Sequence, residues 1–175
     1  MKLGIVSDTH RNKEYLDKVV QWLIRNQHIA TLCHLGDDYD DVLGLADEGI
    51  DILQVPGIYN PKYLDGSLPA KLRENVLGLR LLLVHSMEKD VTREDMTVTD
   101  IILHGHTHHP SMVLEDGLFK MNPGHLKGPK DKNIEPSFGL LDIGSKEVTA
   151  SIFNLSFKPI LSVHMIRSET GLYKA

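Results

Sequence analysis

Four histidines, His104, His106, His108 and His109, fall within six residues of a chain that holds ten in all. Two of them stand two apart in Gly105-His106-Thr107-His108, a spacing that turns both imidazoles to one side of an extended loop. Earlier in the chain come Asp8-Thr9-His10, Gly36-Asp37, Gly57-Ile58-Tyr59-Asn60 and a lone His85. Neutral imidazoles mixed with carboxylates suit transition metals such as Mn, Fe, Co, Ni or Zn better than Ca or Mg alone. Each piece alone also fits a blander role: a turn after a strand, a helix cap, a satisfied buried histidine. Taken together and in this order, they read as one metal site.

The elements that must position these residues are short apolar strands. Lys2 to Ser7 reads as a buried strand that stops at Asp8. Asn12 reads as the cap of a helix through about Asn26, with Tyr15, Leu16, Val19, Val20, Leu23 and Ile24 on one face. Ile29 to Leu35 is a second strand closed by Gly36-Asp37, a short helix spans about Asp41 to Asp47, and Ile50 to Val55 is a third strand. Glu74 to Leu77 and Leu79 to Val84 form a hairpin about Gly78, and Asp100 to Leu103 is a short buried strand. Met112 to Leu114, Leu118 to Met121, Phe138 to Ile143, Val148 to Phe153 and Ile160 to Met165 follow as strands. Asn122 to Pro136 is a long polar loop. Side chains at the carboxyl ends of strands converge in open α/β sheets even when distant in sequence.

The expectation is a single domain over residues 1–175, of α/β class with two mixed sheets. A net charge of -5 argues against strong nucleic-acid binding or a membrane-surface role. Aromatics at 6% leave little surface for base stacking. One cysteine, Cys33, excludes an internal disulfide and a Cys-rich zinc module. No signal segment precedes the first strand and no run spans a bilayer, so a cytoplasmic protein is expected.

The ordered set Asp8-x-His10, Gly36-Asp37, Gly57, His85 and Gly105-His106-Thr107-His108 resembles the calcineurin-like metallophosphoesterases. Asn122-Pro123-Gly124, Pro136-Ser137-Phe138 and the short length are similar to the small bacterial and archaeal phosphodiesterase branch, YfcE-like. The resemblance implies a four-layer α/β/β/α fold with two packed mixed β-sheets flanked by helices. It implies two divalent metal ions, Mn first among Ni, Fe, Co, Zn and Mg. Asp8, His10 and His108 would hold the first ion, Asp37 would bridge, and His85 and His106 would hold the second. It further implies attack by a metal-bridging hydroxide on a small or nucleotide-type phosphoester, with Asp37 and His85 at the reacting centre, joined by Asn60 if that residue replaces the family's Asn, and homo-oligomers as an option.

The third motif departs from that pattern. Ile58 stands where the family has a ligating Asn, and Asn60, two residues on, is the candidate replacement; otherwise Asn60-Pro61 makes a turn. Ser86 and His125 also stand where Gly and Ser are usual. His125 is a candidate for the phosphate pocket and His109 for a supporting role by adjacency. His28, His34, His104 and His164 read as structural or surface residues. The damaged motif keeps a second reading open: a fold of this kind retained as a scaffold or binding protein without turnover. A nuclease is the weakest reading, given the acidic charge.

Overall fold

The first strand, β1 (Lys2–Val6), is buried along almost its whole length, because it lies mid-sheet with layers on both faces. The computed structural model describes residues 1–175, the side chains of Ala46 and Asp47 excepted. After β1 come α1 (Lys13–Trp22), β2 (Thr31–His34), β3 (Asp51–Gln54), α2 (Pro61–Leu64), β4 (Lys71–Val76) and β5 (Leu79–Val84). Then follow α3 (Met87–Asp90), α4 (Arg93–Thr97), β6 (Ile101–Leu103), β7 (Ser111–Glu115) and β8 (Leu118–Asn122). β9 (Ser137–Ile143), β10 (Glu147–Asn154), β11 (Pro159–Ser168) and β12 (Gly171–Lys174) close the chain.

The strands form two mixed sheets. The larger runs β12-β11-β10-β9-β1-β2-β3, with β1, β2 and β3 parallel and the rest antiparallel. The smaller runs β4-β5-β6-β8-β7, with β5, β6 and β8 parallel between antiparallel edges. The alternation along β5 shows the layering. Leu81 and Leu83 join the core between the sheets, with Leu3, Ile5, Phe119, Met121 and Leu141. Leu82 and Val84 point the other way, under Met87 and Val91 of the α3 region. Outside the larger sheet, α1 lays Leu16, Val19 and Val20 on Val6, Leu32 and Phe138. The expected four layers, helix, sheet, sheet and helix, are therefore present.

Several boundaries differ from the sequence expectation. α1 starts where predicted, with the Asn12 side chain accepting from the Tyr15 amide at 3.2 Å. It ends earlier, at Trp22, and its last turn is π-helical over Leu23–Gln27, closed by His28 at φ 57°. The expected helix over Asp41 to Asp47 is instead two 3₁₀ turns, Tyr39–Val42 and Leu45–Glu48, interrupted at Gly44 with φ 94°. β12, α2, α3 and α4 were not anticipated. The Asn122 to Pro136 stretch is a loop but not a polar one throughout, since His125 and Leu126 are fully buried. Among the described residues, no helix is long and apolar enough to cross a membrane.

The smaller sheet is tied to α4 through Asp95. This buried carboxylate accepts from Lys71 Nζ at 2.6 Å, the Thr92 amide at 2.7 Å and the Thr92 hydroxyl at 2.9 Å, and also from Arg73. Burial works to raise its pKa, but these donors outweigh it and hold the carboxyl well below the ordinary range. A depressed native pKa stabilises the fold above the unfolded value of about 4, and that contribution fades as the pH falls toward the native value. Asp95→Ala is therefore expected to cost about 2 kcal/mol at pH 7, the figure being modest because Lys71 and Arg73 regain water. Urea unfolding at pH 7 and pH 3 checks this: the gap between variant and wild type should narrow at the lower pH.

Candidate metal centre

Asp8 and His10 lie just beyond β1, Asp37 beyond β2, His85 directly after β5, and His106 and His108 beyond β6. These are the carboxyl ends of parallel strands, two from each sheet, and there the two sheets bring their loops together. Asp8, His10, Asp37 and His108 each offer a ligand atom, and all four atoms lie within 4.8 Å of one another. His10 Nε2 is 2.8 Å from Asp37 Oδ2 and 3.3 Å from His108 Nε2, and His108 Nε2 is 3.1 Å from Asp8 Oδ1. On the far side of Asp37, its Oδ1 lies 3.2 Å from His85 Nε2. The His85 and His106 rings stand 5.1 Å apart.

The donor set fits metal ions. His85 Nδ1 lies 2.7 Å from the Leu35 carbonyl, which only accepts, so Nδ1 carries the proton and Nε2 offers a lone pair. His108 Nδ1 meets the Asp131 carboxylate at 2.6 Å and leaves Nε2 likewise free. Two inward-facing atoms, Asp8 Oδ1 and His85 Nε2, are buried without a hydrogen-bond partner. A cation bound at each would supply the missing partner. Asp8 is held in place through its other oxygen, which accepts from Ser7 Oγ at 2.6 Å and from the His106 amide at 3.0 Å.

The backbone is strained here. Asp8, His10, Asp37, His106 and His108 all adopt left-handed φ between 48° and 69°. Such conformations cost about 1–3 kcal/mol each for non-glycine residues and persist where surrounding structure enforces them. Close approach of the loops also depends on missing side chains. A Cβ on Gly57 would lie 2.6 Å from the Asp37 backbone, and one on Gly105 would lie 1.9 Å from Ser7 Oγ.

Charge within the site follows from these contacts. Burial works to raise Asp37, but His10 and His85 outweigh it and hold the carboxyl well below its usual range. Burial lowers His85, and Asp37 and Asp8 more than reverse that. His108 is raised, chiefly by Asp8, with Asp131 adding to the effect against burial. His106 is lowered by burial and by neighbouring His85. Behind the Asp8–His10 loop, Asp41 accepts from Thr9 Oγ1 at 2.5 Å and from the Arg11 amide at 2.9 Å.

The third-strand loop goes its own way. Ile58 is buried and directs no ligand anywhere. Asn60 caps α2, its Oδ1 accepting from the Lys62 amide at 2.9 Å. It also lines a cleft of about 820 Å³ that includes His10, Asp37, Arg11, Tyr59 and Lys62. His109, expected to support the site by adjacency, is exposed. His125 is buried with Nε2 on the Ile134 carbonyl at 3.1 Å, its ring 5.4 Å from that of His108. Asp131 and Asp41 were missed from sequence, because Asp131 reaches His108, and Asp41 the Thr9–Arg11 segment behind it, through one side chain that belongs to no motif.

Residues 1–146 match the family model described as the calcineurin-like phosphoesterase superfamily domain. No curated sequence matches the chain significantly. Among solved structures, the chain is similar to Yfce, a phosphoesterase from E. coli, at 23% identity and a TM-score of 0.72, covering 93% of this chain and 98% of that one. A novel archaeal phosphodiesterase gives 20% identity and a TM-score of 0.69, over 87% and 100% of the two chains. Vps29 from Entamoeba histolytica, complexed with Zn²⁺, gives 19% and 0.68, over 95% and 99%. At these identities the likenesses speak for the fold.

Proposed function

The chain belongs to the calcineurin-like phosphoesterase superfamily, and from that membership we propose that it is a metal-dependent phosphoesterase acting on phosphodiesters at a two-metal centre. The observation that carries the reading is Asp37, whose two oxygens face different histidines: Oδ2 faces His10 and Oδ1 faces His85. Asp8, His10, Asp37 and His108 form the first site. Asp37, His85 and His106 form the second, and Asn60 is its candidate oxygen donor. Two divalent ions, manganese first among them, would supply the Lewis-acid clamp on the phosphate and an activated water. The chain's own groups do the rest. Asp37 sets the spacing between the sites, the Leu35 carbonyl fixes the His85 ring, and Arg11 and Lys62 bring positive charge to the cleft beside them. The substrate in this reading is a small or nucleotide-type phosphoester, met by a cytoplasmic protein that self-associates at most.

A second reading, a binding protein that keeps the metal site without turnover, is favoured by buried Ile58 and by the capping role of Asn60. Metal counting on purified protein, with hydrolysis of a nitrophenyl diester and monoester across Mn, Ni, Co, Zn and Mg, separates the two. Two ions per chain and diester turnover above monoester turnover are expected. Two ions with neither activity would leave only the binding protein. Asn60→Ala is expected to lose the weaker ion along with about 1 kcal/mol of helix capping. Unchanged metal content would assign Asn60 to capping alone.

A further inference from the structure

The geometry points to Asp131 as a positioning residue that locks the His108 ring for the first metal site, an inference that rests on the metal reading above. Its Oδ2 lies 2.6 Å from His108 Nδ1. An ionised carboxylate only accepts, so Nδ1 carries the proton and Nε2 presents its lone pair toward Asp8 Oδ1 at 3.1 Å and His10 Nε2 at 3.3 Å. A carboxylate behind a ligating imidazole fixes the tautomer, orients the ring and makes the nitrogen a stronger donor.

Asp131 is itself built in. Its Oδ1 accepts from Lys127 Nζ at 2.9 Å, and its backbone pairs both ways with Ile134, at 3.0 and 2.7 Å. The Ile134 carbonyl accepts from His125, whose ring packs beside His108. One residue on, the Leu126 amide donates to the Asp8 carbonyl at 3.2 Å. The segment from His125 to Ile134 is thus a brace that touches two first-site residues, Asp8 through the backbone and His108 through Asp131.

Calorimetric titration of metal-free protein with Mn²⁺ tests this, with the melting temperature of the metal-free form measured alongside. Asp131→Ala is expected to weaken first-site binding about 10- to 100-fold. Asp131→Asn, which still accepts through one oxygen, should fall between that variant and wild type, and the metal-free melting temperatures should stay close. A variant that melts earlier but binds Mn²⁺ as wild type does would show a merely structural residue and overturn the inference. If Asp131→Ala does not fold, nitrogen NMR of the Zn²⁺-loaded wild type decides: an Nδ1-protonated His108 supports the inference and an Nε2-protonated one overturns it. Wild-type protein that takes up neither Mn²⁺ nor Zn²⁺ would instead sink the metal reading itself.

Discussion

Asp37→Asn should strip the centre of metal and lower phosphoester turnover by about 10³-fold. The substitution keeps size and shape, and Asn tolerates the left-handed conformation that residue 37 adopts at φ 69°. What changes is charge and donor character. One carboxylate oxygen becomes an amide NH₂, which faces His10 or His85 according to how the amide turns. A donor aimed at an imidazole lone pair cannot share that lone pair with a cation. Whichever half keeps the remaining oxygen still loses a full negative charge from a partly buried site. Metal analysis by mass spectrometry, together with kcat/KM for a nitrophenyl diester, reads the effect. Metal content equal to wild type would overturn the bridging assignment of Asp37, and unchanged turnover would overturn the site.

The six candidate site positions were legible because each sits where an apolar strand stops. Strand runs such as Leu81 to Val84 announce themselves by composition, and chain geometry then forces their ends together. The motif glycines were legible only as turns and motif members; that Gly57 and Gly105 leave no room for a Cβ is a tertiary fact. What was hidden depends on tertiary contact. Asp131 reaches His108 across 23 residues of sequence through a single side chain. The π-helical end of α1 and the paired 3₁₀ turns after Asp38 are adjustments of a helical pattern to its neighbours, and periodicity cannot distinguish them from a regular helix. β12 buries only Leu172, so no alternation gave it away; the pairing with β11 makes it a strand. The departure at Ile58 was legible as a broken motif, and a turn at Asn60-Pro61 as its alternative; the short helix α2 that Asn60 caps was not.

Gly105→Ala should damage both the stability and the metal affinity of the site. The added carbon would lie 1.9 Å from Ser7 Oγ and 2.7 Å from Asp8 Oδ2, both at the buried end of β1. Neither neighbour has a free direction to move. Ser7 Oγ is committed to Asp8 at 2.6 Å and to the Leu35 carbonyl at 3.3 Å, and Asp8 Oδ2 also accepts from the His106 amide. Relief must come from backbone displacement in a packed interior, which costs about 1–3 kcal/mol. The same displacement carries Asp8 away from His10 and His108, so metal affinity should fall about 10- to 100-fold with it. Gly128→Ala is the control, since nothing lies within 4 Å of a Cβ there, and it should leave both quantities unchanged. Adding Ser7→Ala to Gly105→Ala removes the closest clash and should restore part of the stability. It should not restore the metal affinity, because Asp8 then lacks one of the two donors that orient it. Urea unfolding and Mn²⁺ calorimetry on the four proteins read both effects, and a Gly105→Ala variant as stable and as metal-avid as wild type would show that the loops do not meet as closely as this.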